Sequence, residues 1–250
     1  MLVKEIVEPL SRLAVVSNLH GNLPALEAIL EDIDREAPTS LLCLGNSIGY
    51  APFNRQVVEA LRQRGAVMLR GNLDDAAAKQ GTLPLIAGQL DDASRSLLAG
   101  LPVAARFKMA KADVVAFHGE APDDSPLFQA DARLAAELHA LSRYAPELET
   151  LEADSLFSDL AGHFSADAYV FGHTQSEVYR RMAGKQFVSV APAGRPRGDV
   201  HASYALLTTS HEELRVEFRR VTYNVQAVVD AIKSHGLPAR FAEELEMPLD

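Results

Sequence analysis

The chain has 250 residues, 48% of them hydrophobic, which is enough to bury one large core. Its formal net charge of -10 argues against nucleic acid or an anionic membrane as a partner, because both require a basic face. Cys43 is the one cysteine, and no apolar stretch near the start has the length of a signal peptide, so we expect a cytoplasmic location.

Short apolar runs alternate with helical periodicity through the first half of the chain. The run RLAVVS at 12–17 predicts a buried strand, and apolar residues spaced three and four apart then predict a helix over 26–33. The same order recurs with a strand at 40–45 and a helix that ends at Gly65. A third strand, AVMLRG, follows, and the helical pattern over 74–100 is weaker. Repeated strand–helix units of this kind are typical of an α/β fold.

Strands dominate the second half. VAARFKM and DVVAFHG predict consecutive strands joined through AKA. Helical spacing follows over 134–141 and again over 156–164, before the strand AYVFGH. Four strand-like runs come next, namely EVYRRM, QFVSVA, ASYALLTT and ELRVEFRRVTY. A last helix over 225–232 is predicted to end at Gly236.

Polar motifs stand at the carboxyl ends of five predicted strands. They are SNLHGN, LGNSIGY, RGNLDD, FHGE and FGHTQ, in this order along the chain. Open α/β sheets build their binding sites at such strand ends, so we expect the five loops to converge on one edge. Each motif alone is weak, because Gly-Asn pairs are ordinary turn formers. The ordered set of five is the strongest functional signal in the sequence.

This ordered set resembles the motifs of the calcineurin-like metallophosphoesterases, in particular the small bacterial branch similar to diadenosine tetraphosphatases and phosphodiesterases. The family motifs run D-x-H, G-D, G-N-H-D/E, H-G and G-H-x-H, and they hold two metal ions that share a bridging carboxylate. The resemblance implies an α/β fold of two mixed β-sheets packed face to face as a sandwich and flanked by helices. We expect a single domain over 1–250, with 1–12 as an N-terminal extension and 222–250 as a C-terminal helical segment.

The resemblance assigns eight positions of the family site to this sequence. The family residue is kept at His20, Asn72, His118 and His173. The other four differ: Asn18 replaces the first Asp, Asn46 the bridging Asp, Leu73 the catalytic His and Gln175 the last His. By this alignment, Asn18, His20, Asn46 and Gln175 surround one metal position, with Asn46 shared. The second position keeps Asn72, His118 and His173 and lacks only the charged bridge.

Amides in place of carboxylates change the chemistry that we expect at these positions. A unit charge about 4 Å from a cation charge is worth on the order of 4 kcal/mol at an effective dielectric constant near 20. The loss of two carboxylates therefore predicts that the site does not bind two metal ions. We expect no tightly bound cofactor, or a single Mn, Fe or Zn ion at the second position. The paired amides of Asn18 and Asn46 are expected to hydrogen-bond to each other and to loop backbone instead.

Two further features affect activity. Leu73 can neither donate a proton nor bind a metal, which removes a general acid worth roughly 10²- to 10⁴-fold in rate. Asp74 is the alternative proton donor that the sequence offers. The segment VAPAGRPRG is shorter than the corresponding family segment, yet Arg195 and Arg197 remain, and guanidinium groups bind phosphate oxygens in pairs.

Three functions stay open on the sequence. The first is a pseudoenzyme that binds an unknown protein partner or a phosphorylated small molecule. The second is a weak or mononuclear metal-dependent phosphodiesterase or phosphatase at Asn72, His118 and His173. The third is a metal-free nucleotide or phosphate sensor that uses Arg195, Arg197 and His20. Whether the chain is an enzyme is therefore left open at this level.

Overall fold

The structure is a computed structural model, and it describes residues 2–35, 39–79, 83–119, 131–145, 148, 162, 164–195, 200–211 and 213–246. The strands are β1 (Val3–Leu10), β2 (Arg12–Val16), β3 (Ser40–Cys43), β4 (Val67–Met68), β5 (Ala104–Met109), β6 (Ala112–Phe117), β7 (Ala168–Phe171), β8 (Val178–Met182), β9 (Lys185–Ser189), β10 (His201–Ser210) and β11 (Glu213–Thr222). The helices are α1 (Leu23–Asp34), α2 (Asn54–Gln63), α3 (Asn72–Ala78), α4 (Pro84–Ala87), α5 (Asp92–Ala99), α6 (Ala132–Tyr144), α7 (Val225–Ser234) and α8 (Arg240–Glu246).

These strands form two mixed sheets, which confirms the expected fold class. One sheet has the order β1-β5-β6-β7-β9-β8, and the other has the order β11-β10-β2-β3-β4. The strands β2, β3 and β4 run parallel, as do β6, β7 and β9. Because parallel neighbours end at the same edge, the loops after β2, β3, β4, β6 and β7 are brought to one side of the molecule.

Three apolar layers hold the sandwich together. Side chains of both sheets, among them Val15, Leu42 and Val170, meet in the layer between the sheets. The outer face of the five-stranded sheet is covered by α1, α2 and α5, and α6 packs on the outer face of the six-stranded sheet. The core strands are buried on both faces, which explains why they appear in the sequence as continuous apolar runs. None of the helices in the described ranges is long and apolar enough to span a membrane.

The structure corrects one sequence prediction and refines a second, and a third lies mostly outside the described residues. Residues 3–10, expected as part of an N-terminal extension, form the edge strand β1, which pairs in parallel with β5. This strand was missed because an edge strand with one neighbour keeps charged side chains exposed, and Pro9 is tolerated where the register shifts. The weak pattern over 74–100 corresponds to the three short helices α3, α4 and α5. Of the helix predicted over 156–164, residues 156–161 and 163 lie outside the described residues.

Candidate functional site

The five polar loops lie side by side, as the motifs predicted. Backbone hydrogen bonds join the first two loops, from the Asn18 amide to the Gly45 carbonyl and from the His20 amide to the Asn46 carbonyl, each at 3.0 Å. The last two loops are joined from the Gly172 amide to the His118 carbonyl, also at 3.0 Å. A side-chain contact of 3.2 Å between His118 Nε2 and Asn72 Oδ1 links the two groups of loops. The strand ends therefore form one continuous site.

Three asparagines form a hydrogen-bonded cluster at the centre of this site. Asn46 Nδ2 donates to Asn18 Oδ1 at 3.1 Å and to Asn72 Oδ1 at 2.9 Å. Asn46 Oδ1 accepts from the backbone amide of Leu73 at 2.9 Å. Asn18 is fully buried and Asn46 is 4% exposed, whereas Asn72 reaches solvent. The expected pairing of Asn18 and Asn46 is confirmed, and the amide group of Asn46 joins all three motif loops.

Asp74 lies directly behind the amide cluster and is fully buried. Its Oδ2 accepts from the backbone amides of Asn46 at 2.7 Å and Gly71 at 2.9 Å, and its Oδ1 accepts from Ser47 Oγ at 2.9 Å. Burial raises the pKa of Asp74, and these hydrogen bonds oppose the rise. The carboxylate thus holds the loop that carries Asn46 at the start of α3, which is a structural task different from the proton donation considered above.

Several residues of the site adopt left-handed backbone conformations, which residues other than glycine rarely take. Positive φ angles occur at Asn18, His20 and Asn46, each 52°, at His173, 65°, and at Gln175, 69°. Asparagine and histidine are among the residues most often found in this region, whereas glutamine adopts it at a cost of order 1–3 kcal/mol. Strained residues of this kind persist only where surrounding structure enforces them, and they are concentrated at functional sites.

Close approach of loops also requires glycine, as Gly194 and Gly45 illustrate. A Cβ atom on Gly194 would lie 1.8 Å from the Leu19 carbonyl oxygen, and one on Gly45 would lie 2.5 Å from the Gly71 nitrogen. Both distances are far below van der Waals contact with backbone that cannot move aside. These glycines allow the neighbouring loops to pack at the separation seen in the site.

Two buried histidines flank the amide cluster. Burial, together with the nearby Arg195, lowers the pKa of His20 to about 3. Burial, together with His173 and His20, lowers the pKa of His118 to about 3 as well. Both rings are therefore neutral at physiological pH and are able to act as hydrogen-bond acceptors or metal ligands. His173 is exposed, and its ring meets that of His118 edge to face with centroids 5.3 Å apart.

Two assigned positions are less tightly integrated into the site. Gln175 is half-buried, and its Nε2 donates to the His173 carbonyl at 3.4 Å. Leu73 is half-buried in the first turn of α3, and only its backbone amide takes part in the cluster. The other assigned positions, apart from the Arg pair, are joined to each other by the contacts described above.

An aromatic and charged group, of which sequence analysis assigned only His20 and Arg195, closes one side of the site. The His20 and Tyr50 rings have centroids 4.8 Å apart, and those of Tyr50 and Phe241 are 4.9 Å apart. The Arg195 guanidinium carbon lies 4.2 Å from the Tyr50 ring centroid, and Arg195 forms an ion pair with Glu244 of α8. The motif IGYAP contains Tyr50, but nothing in the sequence indicated its partners. Arg197 lies outside the described residues.

Comparison with known proteins places these features in a family. Residues 11–177 match the calcineurin-like phosphoesterase family, and the chain belongs to it. The uncharacterized protein MJ0912 of Methanocaldococcus jannaschii is 22% identical, with 94% of this chain and 97% of that protein covered. The family comprises phosphoesterase hydrolases. Membership in this family accounts for the two-sheet sandwich and for the loops at its strand ends.

Solved structures show the same fold. A metallophosphoesterase from Sphaerobacter thermophilus superposes with a TM-score of 0.69 at 24% identity, covering 94% of this chain and 98% of that one. The hypothetical protein PH1004 from Pyrococcus horikoshii OT3 gives 0.67 at 22% identity, covering 96% and 98%. A putative diadenosine tetraphosphatase gives 0.55 at 14% identity, covering 89% and 98%.

Proposed function

We propose that this chain is a member of the phosphoesterase family that has lost turnover and acts by binding a protein partner or a phosphorylated ligand. The amide of Asn46 carries the proposal. Its Nδ2 donates two hydrogen bonds at the position that the resemblance assigns to the bridging carboxylate. A carboxylate has no hydrogen to donate, so the observed hydrogen bonds require an amide at this position.

The donor set supports the same proposal. The seven side chains assigned to metal binding comprise three asparagines, one glutamine and three histidines, so none of them is a carboxylate. No group of three His, Cys, Asp or Glu side chains that could hold a metal occurs in the described part of the chain. Two adjacent dications repel each other unless an anionic bridge offsets their charge. This donor set does not fit a dinuclear centre.

A second candidate is a mononuclear phosphoesterase at Asn72, His118 and His173. It is favoured by the 3.2 Å contact of His118 with Asn72 and by the exposure of Asn72 and His173 on the solvent side. Borderline metal ions accept imidazole and amide oxygen ligands. Weak hydrolysis at this open side is the activity that this candidate predicts. A cytoplasmic location remains part of both proposals.

Metal content and turnover test the proposal. Protein purified without added metal should contain less than one transition metal ion per chain by elemental analysis. Hydrolysis of bis(p-nitrophenyl) phosphate with excess Mn²⁺ should be near background. Two tightly bound ions, or turnover that His118→Ala abolishes, would refute the proposal that turnover has been lost. Turnover with one bound ion would support the mononuclear candidate instead.

A fourfold variant tests the assignment of the positions. Asn18→Asp, Asn46→Asp, Leu73→His and Gln175→His together restore two carboxylates, an imidazole acid and a metal ligand. We expect this variant to bind two Mn²⁺ ions and to recover some diesterase activity, while single changes restore little because these groups act as a unit. A folded fourfold variant that binds no second ion would show that the loops are not positioned for a dinuclear centre.

A further inference from the structure

We propose that Arg195 is a binding site for a phosphate group and that Glu244 of α8 occupies this site as an internal anion, which the ligand must displace. This inference rests on the proposed binding function and adds to it a ligand class and a mode of regulation. It is carried by the packing of the C-terminal helix against the strand-end loops.

The guanidinium of Arg195 is held in place from two sides. Its face lies over the Tyr50 ring at 4.2 Å, and Tyr50 in turn packs between His20 and Phe241. Stacking on an aromatic ring leaves the edge of a guanidinium, with its N–H groups, directed to an anion. The Glu244 carboxylate is the anion found there. Arg195 therefore lies against the Tyr50 ring, which also contacts His20 of the site.

The space on the inner side of the Arg195 guanidinium is too small for a ligand while α8 is docked. This space, bounded by His20, Tyr50, Arg195 and the α8 side chains Phe241 and Leu245, is about 10 Å³, roughly enough for one water molecule. A phosphate group therefore has to approach Arg195 from the side where the Glu244 carboxylate contacts the guanidinium, and it competes with that carboxylate.

The ion pair is accessible to a competing anion. The Glu244 side chain is 43% exposed and that of Arg195 is 21% exposed. Such a partly exposed pair contributes little to stability. A phosphate monoester carries more negative charge than a carboxylate and offers three oxygens to the guanidinium fork. Ala242 and Leu245 of α8 pack in one apolar cluster with side chains of α7, so the helix is anchored beside the ion pair and Glu244 is the group that the anion displaces first.

Displacement of α8 is measurable with a single tryptophan, because the chain contains none. Phe241→Trp in the full chain places the indole against Tyr50, where its emission should be blue-shifted. Titration with inorganic phosphate at constant ionic strength should shift the emission to the red as α8 leaves. Glu244→Gln in this background should lower the phosphate concentration at half-change about fivefold, the factor expected from loss of one partly exposed ion pair. Glu243→Gln is the matched control because it removes the same charge from an exposed neighbour.

A second measurement uses the unaltered protein. Trypsin cleavage after Arg240, followed by mass spectrometry, should accelerate with phosphate but not with chloride. The proposed phosphate site is refuted if phosphate has no effect in either assay, or if the Arg195→Gln variant still responds to phosphate. The displacement is overturned if calorimetry detects phosphate binding without change at α8, or if Glu244→Gln and Glu243→Gln respond alike. Diester hydrolysis, measured separately, would refute the loss of turnover and leave this result unchanged.

Discussion

Asn46→Asp should destabilise the protein in the absence of metal, although it changes only one side-chain group. The amide donates to Asn18 Oδ1 at 3.1 Å and to Asn72 Oδ1 at 2.9 Å, and an aspartate loses both hydrogen bonds. The new carboxylate also faces two amide oxygens at a position that is 4% exposed. Of the present partners, only the Leu73 backbone amide would still donate to this carboxylate. A buried charge with so little compensation costs about 3–5 kcal/mol, so we expect a loss of this size in the free energy of unfolding at pH 8.

Urea denaturation followed by circular dichroism measures this loss, with and without Mn²⁺. Because the carboxylate that Asn46→Asp introduces would offer a charged ligand, Mn²⁺ at about 100 times its dissociation constant should restore about 2.7 kcal/mol in the variant. The wild-type protein should gain little. Asn224→Asp is the matched control: Asn224 is the N-cap of α7 and accepts from the Ala227 amide, which an aspartate does equally well. The reasoning fails if metal-free Asn46→Asp is as stable as wild type.

Three further predictions concern the supports of the site. Asp74→Asn should cost about 2–3 kcal/mol in urea unfolding, because an amide leaves a buried N–H donor unpaired, whereas Asp75→Asn at the surface should cost less than about 1 kcal/mol. The folded-state pKa of His118, about 3, lies below the ordinary 6.5, so its contribution to stability is lost as the pH falls below 6.5. His118→Gln should therefore flatten the fall of unfolding free energy between pH 6.5 and 4.5 by about 1 kcal/mol per pH unit, and an unchanged slope would contradict the shift. Gly194→Ala should cost about 3 kcal/mol in thermal or urea unfolding, and Gly100→Ala, whose Cβ would lie 3.5 Å from its nearest neighbours, should be close to neutral. Equal effects of the two glycine changes would show that the loop contact at Leu19 is not tight.

The sequence by itself determined the α/β class and the convergence of the five motif loops. Continuous apolar runs identify strands buried on both faces, and polar loops after parallel strands must meet at one edge. The pairing of Asn18 with Asn46 was also predictable, because two buried amides brought to the same edge satisfy each other. These conclusions depend on residue type and order, which the sequence records directly.

Features that depend on weak local patterns were not predictable. The strand β1 pairs with one neighbour and keeps charged residues exposed, so it lacks the apolar alternation of a buried strand. Asp74 is one of two adjacent aspartates in its motif, and only the fold shows that its carboxylate accepts from the backbone amide of Asn46. A buried structural carboxylate and an exposed proton donor look alike in a sequence.

The closure of the site by α8 was decided by tertiary structure alone. Tyr50, Arg195 and Glu244 belong to three segments far apart along the chain. No sequence pattern around any of them indicates that the three side chains are in contact. Hydrophobic periodicity predicts which face of a helix is buried, but it does not identify the surface that covers it. The partner is selected by the packing of whole elements, since a contact between distant residues forms only after the sheets and helices between them have docked.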